Sequence, residues 1–393
     1  MLSIQDIKTV QSTLPLIEQA GAAVTEHFYT RMFTHNPELK DIFNLSNQHS
    51  GRQKLALFEA IVAYAKNLDN PAVLAHAIER IANKHVSFDI KADDYDIVGH
   101  HLIETMRELL SHHFTQAVEQ AWGKAYGILA NIFISREEQL YSQRASAVGG
   151  WRGKRAFQLA EKTEESELVT SFTFRPVDCQ PVMDFQPGQY IAIELQPDTS
   201  EHIEIRQYSL SAKANGKDYR ISVKREGDTQ QGVVSNYLHN RLNVGDLVDL
   251  HAPTGDFFFT DKQQPVVLIS AGVGITPMQS MLETLAHSQY AHQVTFVHAC
   301  ENQAQHSFAA HTAHLCEQHN WRHYTWYNQE QGNGQHTFAG LIDFSQIELP
   351  IADGEYYLCG PIAFMQFAKE KLLLLGIDEA RIHYEVFGPH ATL

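Results

Sequence analysis

Several things are scarce in this chain. No apolar run reaches the ~18 residues that a bilayer-crossing helix needs. The opening Met1–Asp6 has neither a basic n-region nor an apolar h-region, so no secretory signal is expected and the chain reads as cytoplasmic. Cysteine is limited to Cys179, Cys300, Cys316 and Cys359, with no C-x-x-C pair. That excludes a sequence-evident iron–sulfur cluster or zinc ribbon and fits a reducing compartment. Basic residues are in deficit, 30 against 46 acidic, for a net charge of −16. Nucleic acid or an anionic membrane would repel such a surface, so neither is expected as a partner. Internal repeats and low-complexity tracts are also missing. What remains is a globular composition, 44% apolar and 10% aromatic, over 393 residues. That is too long for one ordinary core, and two to three domains are expected.

Residues 1–143 read as helix after helix, an all-α domain. Ser3 with Asp6 resembles a capping box. His35-Asn36-Pro37 and Asn70-Pro71 interrupt the pattern, and periodic segments run from about Gly51 to Leu68 and from Pro71 to Phe88. Asp93 is expected to cap a helix carrying Tyr95, Val98, Leu102, Met106 and Leu109 on one stripe. The last helix, near Thr115 to Gln143, places Trp122, Ala125, Leu129, Ile132 and Phe133 on its buried side. The character changes across a linker, residues 144–150. In residues 151–260 the sequence alternates, as in Leu168–Phe174 and Gln189–Leu195, with turns at Gln186-Pro187-Gly188 and Asn215–Asp218. An antiparallel β-barrel with one inserted helix, about Ser235 to Arg241, is predicted there. In residues 261–393, Val266–Ser270, Val294–Ala299 and Glu355–Cys359 are short apolar runs alternating with helical segments, one from Met278 to Ala286. These predict an α/β parallel-sheet domain.

Two motifs carry chemistry in the second half. Arg206-Gln207-Tyr208-Ser209 lies on a strand, so Arg206 and Tyr208 share a face while Ser209 turns away. Arginine suits a pyrophosphate because its fork donates two parallel hydrogen bonds. By itself a tetrapeptide this short is an ordinary strand. Pro187-Gly188-Gln189-Tyr190 upstream and Gly232–Leu238 downstream add weight, since the latter can open a helix whose first amides meet flavin phosphates. Gly272-Val273-Gly274-Ile275-Thr276-Pro277 departs from the G-x-G-x-x-G fingerprint in its last position. A strand precedes it and a helix follows, and proline is acceptable in a first helical turn, so a dinucleotide site is the stronger reading. Together these resemble the ferredoxin–NADP reductase family. The resemblance implies that Cys359-Gly360-Pro361 lies near the nicotinamide ring. It also implies that Val386-Phe387-Gly388-Pro389, after Glu385, covers the flavin. Taken alone, Cys359 is a small buried residue and Phe387 a core one. Glu301 follows the second parallel strand and would repel a 2′-phosphate, which leans towards NADH over NADPH.

His85 closes the stripe Leu74, Ile78, Ile81, His85. Among 23 histidines, one imidazole ending an apolar face is most simply a core residue. Gln53 and Leu57, however, point the same way from the preceding helix, and Tyr29 and Phe43 come from segments that a compact helical fold can bring alongside. A pocket with an imidazole on one side and Tyr, Gln, Leu and Phe opposite suits a haem. Residues 1–143 resemble a bacterial globin, and the spacing of Tyr29, Phe43, Gln53, Leu57, His85, Tyr95 and Glu137 is similar to that of the flavohaemoglobins over the whole chain.

That resemblance implies haem b, FAD and NADH or NADPH as cofactors. His85 would be the proximal iron ligand, Tyr29 the distal hydrogen-bond donor assisted by Gln53, and Phe43 and Leu57 the pocket walls. From its setting in Arg136-Glu137-Glu138, Glu137 reads as part of a solvated charge run. The resemblance instead links Glu137 and Tyr95 to His85, and makes Lys84 and Glu385 tuners between the haem and flavin regions. FAD would be held by Tyr190, Arg206, Gln207, Tyr208 and Ser209. The implied activity is nitric oxide dioxygenation, with nitric oxide, dioxygen and NAD(P)H as the only partners of a monomer. An oxygen carrier or sensor, or a general flavin reductase, are the alternatives.

Overall fold

A computed structural model of the chain describes residues 2–43, 52–227, 232–330, 332 and 335–388, with the backbone alone for residues 52–54. It divides into two compact units. The first is Met1–Ser146 with Ser200–Ile205, and the second is Ala147–Thr199 with Arg206–Leu393.

The first unit is helical: α1 (Ile4–Ser12), α2 (Leu14–Ala20), α3 (Ala22–His35), α4 (Arg52–Lys66), α5 (Ala75–Ser87), α6 (Ala92–Leu110) and α7 (Gln116–Ser146). Ser3 and Asp6 form the expected capping box, each side chain accepting from the other's amide at 3.0 Å. Pro37 and Pro71 each open a single 3-10 turn, Pro37–Asp41 and Pro71–Leu74. Pro lacks the N–H that a helix interior needs, so a turn is what these positions permit. The start of α6 differs from expectation. Lys91 is its N-cap, Asp94 accepts from the Lys91 amide at 2.8 Å, and Asp93 is exposed in the first turn. Its stripe also ends differently: Tyr95, Leu102, Met106 and Leu110 are buried while Leu109 is exposed. Position 109 also lies three residues past Met106, but it falls in the last turn, where Leu110 and not Leu109 is covered.

Two apolar clusters fill this unit. One gathers Val10, Ile17, Phe28, Tyr29, Met32, Leu102, Met106, Trp122 and Ala125. The other gathers Ala82, Val86, Tyr95, Phe133, Leu140 and Tyr141, and Tyr126 and Leu129 pack against both. Trp122 is fully enclosed, and its indole N–H donates to Thr13 Oγ1 at 3.0 Å, so its one polar atom is satisfied on burial.

The second unit has two halves. Strands β1 (Lys154–Glu164), β2 (Val169–Pro176), β3 (Tyr190–Leu195), β4 (Glu204–Ser209), β5 (Tyr219–Lys224) and β6 (Leu247–Thr254) form one sheet in the order β4-β3-β6-β1-β2-β5. The pairs β1–β2, β1–β6, β2–β5 and β3–β6 are antiparallel. An antiparallel bridge from Leu210 to Ile221 joins the two edges and closes the sheet on a core that includes Phe157, Phe172, Phe174, Ile191 and Leu250. Helix α8 (Val233–Asn240) is the inserted helix.

The other half is a parallel sheet of β7 (Val266–Ala271), β8 (Val294–Cys300), β9 (Arg322–Tyr327), β10 (Thr337–Ala339), β11 (Glu355–Cys359) and β12 (Ile382–Glu385). The order is β10-β9-β8-β7-β11-β12. Helices α9 (Ile275–His287) and α10 (Ala309–Gln318) contribute to one apolar cluster, and α11 (Ile362–Leu374) contributes to another. The near-continuous apolar strands follow from burial on both faces. Among the described residues no helix is long and apolar enough to cross a membrane.

Candidate functional site

In the helical unit three helices converge on one imidazole. His85 on α5 lies with Nδ1 2.8 Å from Glu137 Oε1 on α7 and 2.8 Å from the Tyr95 hydroxyl on α6. The Tyr95 hydroxyl donates to the same carboxylate oxygen at 2.5 Å. Burial, reinforced by the adjacent Glu137 charge, pushes the Tyr95 hydroxyl pKa far above its ordinary value, so it stays protonated and donates. A carboxylate only accepts, so the imidazole carries its proton on Nδ1. Nε2 has no hydrogen-bond partner among the described residues. The His85 side chain is 33% exposed and that of Glu137 only 3%. An imidazole with one nitrogen oriented by a buried carboxylate and the other without a partner is the donor that a haem iron takes, so this set fits haem.

Around the triad, Phe133 was expected to be buried, whereas the partners Glu79, Asn83, Arg136 and Arg144 had no sequence signal. Phe133 stacks on Tyr95 at 6.2 Å and lies 5.6 Å from the His85 ring. Arg136 grips Glu79 with two bonds of 2.7 Å, and Arg144 donates to Asn83, pinning α7 to α5 on both sides of Glu137. Gly99 lets α6 meet the Tyr126 ring, whose hydroxyl donates to the Tyr95 carbonyl at 2.6 Å. Lys84 is half-buried beside His85 on α5.

Tyr29 is buried on α3 within an aromatic group. Phe43 lies edge-on at 5.8 Å, Phe33 stacks at 5.7 Å and Phe28 sits at 5.1 Å. Leu57 packs against the same core. Gln53 belongs to the first turn of α4, and its side chain lies outside the described atoms.

In the barrel half, Arg206, Gln207 and Tyr208 are half-buried on β4 and Ser209 is buried. Tyr208 packs on the barrel core, and burial pushes its hydroxyl pKa up. Tyr190 opens β3 against Gly255, whose φ is +125° and whose missing Cβ would stand 3.0 Å from the Tyr190 ring. Glycine there serves both the backbone and the ring. Among the described residues no side chain caps α8 at Gly232, and uncapped first amides suit an anionic group.

In the parallel half, Gly272–Gly274 forms one 3-10 turn after β7, and α9 starts at once with Thr276 and Pro277 in its first turn. No side chain caps it. A Cβ on Gly274 would lie 2.5 Å from the Cys359 carbonyl carbon and 2.6 Å from the Gly360 nitrogen. The two loops therefore meet backbone to backbone. Strands β7 and β11 are neighbours from which the chain proceeds in opposite directions across the sheet, the switch point where open α/β sheets take ligands. Both glycine segments thus lie at that switch point, an arrangement that suits a dinucleotide. Cys359 is fully buried beside Glu385 on β12, and burial followed by that charge pushes its thiol pKa well up. Val386 is buried and Phe387 is 43% exposed after β12. Gly388 has φ +124°. Pro389 lies outside the described residues. Glu301, just past β8, accepts on Oε2 from Asn328 and Gln329 at 3.0 Å each. Among the described residues no group of histidine, cysteine, aspartate or glutamate forms a metal cluster, and the four cysteines are free.

Comparison with known proteins places these pieces. Residues 26–133 match the globin family model, residues 156–259 the oxidoreductase FAD-binding domain and residues 268–370 the oxidoreductase NAD-binding domain. A flavohaemoprotein from Vibrio cholerae is 55% identical over the full length of both chains. The chain belongs to the flavohaemoprotein family. It is a globin joined to an FAD- and NAD-binding oxidoreductase module. A crystal structure of the flavohaemoglobin of Malassezia yamatoensis with bound FAD and haem superposes with a TM-score of 0.88, at 29% identity, over 98% of this chain and all of that one. The FAD/NAD-binding domain of the nitric oxide dioxygenase of Vibrio cholerae is 52% identical over 60% of this chain and 99% of that domain, with a TM-score of 0.58.

Proposed function

We propose that this flavohaemoprotein is a nitric oxide dioxygenase. Two nitric oxide and two dioxygen molecules become two nitrate ions as one NAD(P)H is oxidised. When bound, haem supplies an oxygen-binding iron and FAD supplies the hydride acceptor that divides two electrons into single ones. His85 Nε2 would hold the iron, with Glu137 and Tyr95 keeping the proton on Nδ1 and making the ligand more basic. Tyr29, assisted by Gln53, is the distal donor to dioxygen, in a pocket narrowed by Phe43 and Leu57. Tyr190 and Arg206–Ser209 hold FAD, with Val386–Pro389 as its cover, while Lys84 and Glu385 tune the redox groups. Gly272–Pro277 takes the dinucleotide pyrophosphate, and Cys359–Pro361 lies at the nicotinamide. The fixed Glu301 carboxylate favours NADH, since it would repel a 2′-phosphate.

The observation that carries this reading is the His85–Glu137–Tyr95 triad. It makes the imidazole a strong electron donor, a demand of oxygen chemistry more than of oxygen storage, and it stands in a chain that also has a reductase module. The test is nitric oxide consumption in air with NADH. An oxygen store would show no turnover, and a plain flavin reductase would keep its turnover after His85→Ala. Tyr29→Phe removes a hydrogen bond to a charged acceptor, about 1.5–3 kcal/mol, and is expected to slow turnover and speed oxygen loss by roughly 10- to 100-fold. Unchanged rates in that variant would remove Tyr29 from the mechanism.

A further inference from the structure

A part-buried polar network joins the flavin and nicotinamide halves, and no part of the proposed chemistry uses it. Glu283 on α9 is its centre. Oε1 accepts from Arg220 Nη2 on β5 at 2.7 Å, from His311 Nε2 at 3.2 Å and from Gln279 Nε2 at 3.3 Å. Oε2 accepts from the Lys213 amide at 3.1 Å. Arg220 also donates to the Ser211 hydroxyl and carbonyl, and its guanidinium lies over the Phe308 ring. The side chains of Arg220 and Glu283 are 23% and 13% exposed. Burial alone would raise the Glu283 carboxyl. Hydrogen bonds from His311 and Arg220, with the Arg220 charge, instead hold it at about 2. It is therefore ionised at any working pH.

The placement matters as much as the strength. Lys213 follows the flavin strand by four residues from Ser209, and Glu283 follows Pro277 by six on the helix that the dinucleotide turn opens. The network thus joins the exits of the two binding motifs. Hydride transfer depends steeply on the alignment of donor and acceptor, and ~1 Å of misplacement costs ~10²-fold.

We propose that Glu283 is a positioning residue: by gripping Arg220 and the Lys213 amide, it fixes the nicotinamide half against the flavin half in the alignment that hydride transfer needs. This rests on reading the two halves as flavin and nicotinamide sites. Glu283→Gln keeps the shape but places an amide NH2 against Arg220 or the Lys213 N–H, both donors, so one grip becomes a repulsion. The halves would not separate. Ser280 Oγ still donates to the Ala212 carbonyl, and the Glu167 amide to the Ala304 carbonyl.

The test uses full-length holoprotein. Anaerobic stopped-flow mixing with NADH is expected to bleach the flavin of Glu283→Gln roughly tenfold more slowly or worse, with NADH affinity little changed. The long-wavelength charge-transfer absorbance of NAD+ with reduced flavin weakens, the Lys213 amide exchanges hydrogen faster, and Glu283→Asp restores part of each. Passage of electrons from photoreduced flavin to haem stays as in the parent. Parent-like bleaching with parent-like charge-transfer absorbance overturns the proposal, even if the variant melts earlier. Failure of the parent protein itself to be bleached by NADH falls on the reading of the two sites and takes the proposal with it.

Discussion

Glu137→Gln tests the triad most directly. The Glu137 carboxylate accepts two hydrogen bonds on one oxygen, from a tyrosine that cannot ionise and from an imidazole. Glutamine in the same rotamer still accepts both, but as a neutral amide. A bond to a charged group contributes about 1.5–3 kcal/mol and a neutral one about 0.5–1.5 kcal/mol, so the imidazole loses about 1–1.5 kcal/mol of support. If the amide flips, its NH2 faces Nδ1 and drives the proton to Nε2, the nitrogen meant for iron. Either way the ligand weakens, and substitutions at such orienting partners cost ~10- to 100-fold in metal affinity. Transfer of haem to excess acceptor globin should therefore speed up by about that factor. The midpoint potential should rise, because a less basic ligand supports ferric iron less; a tenfold bias between oxidation states is ~59 mV for one electron. Unchanged haem loss and unchanged potential, in a variant whose helicity and melting are intact, would refute the argument that Glu137 acts on iron through His85.

Two other outcomes are expected. Gly274→Ala drives a methyl into the Cys359–Gly360 backbone, which cannot swing aside as a side chain could. It should destabilise the reductase module by about 1–3 kcal/mol and impair reduction of flavin by NADH, while the haem spectrum stays as it was; a parent-like melt would show that the loops part easily. Burial holds His306 down to about 4 and His298 well below its ordinary value, so both stay neutral in the folded chain. The unfolded chain protonates them below about pH 6.5. Stability is therefore full above that pH and falls as pH drops towards 4, by up to about 3 kcal/mol from His306 alone. Urea midpoints against pH should show this slope for the second unit, and His306→Gln should flatten it.

Much of the architecture was readable in advance because it rests on local periodicity. The stripe from Leu74 to His85 and the run Val266–Ser270 announce a helix and a buried strand without help from elsewhere. The misreadings at Asp93 and Leu109 are shifts of two residues and of one, settled by the cap on Lys91 and by which side chain of the last turn is covered. Other features have no local signal. Closure of the barrel depends on Leu210 meeting Ile221. The partners Arg220 and Glu283 are 63 residues apart, and nothing near either marks it. Glu137 shows the limit best. Its immediate neighbours are charged, so local sequence reads as surface; Glu138 is indeed exposed while Glu137 is 3% exposed. Its partners lie 42 and 52 residues upstream, and only resemblance to a family pointed to them.

Burial of that carboxylate is informative in energetic terms. Removing a charged group from water costs several kcal/mol, and among the described residues Glu137 has no cation of fixed charge bonded to it in return. An apolar residue of similar volume would pack beside Phe133 and Leu140 at less expense. A fold that keeps such a residue violates its own packing rule, and such violations concentrate where function requires them. Glu283 is the contrasting case. Arg220, His311 and the Lys213 amide offset its desolvation, so it strains nothing. The difference separates the two proposed roles: Glu137 would act on the chemistry of another group at a cost to the fold, whereas Glu283 would hold geometry and stabilise the fold in doing so.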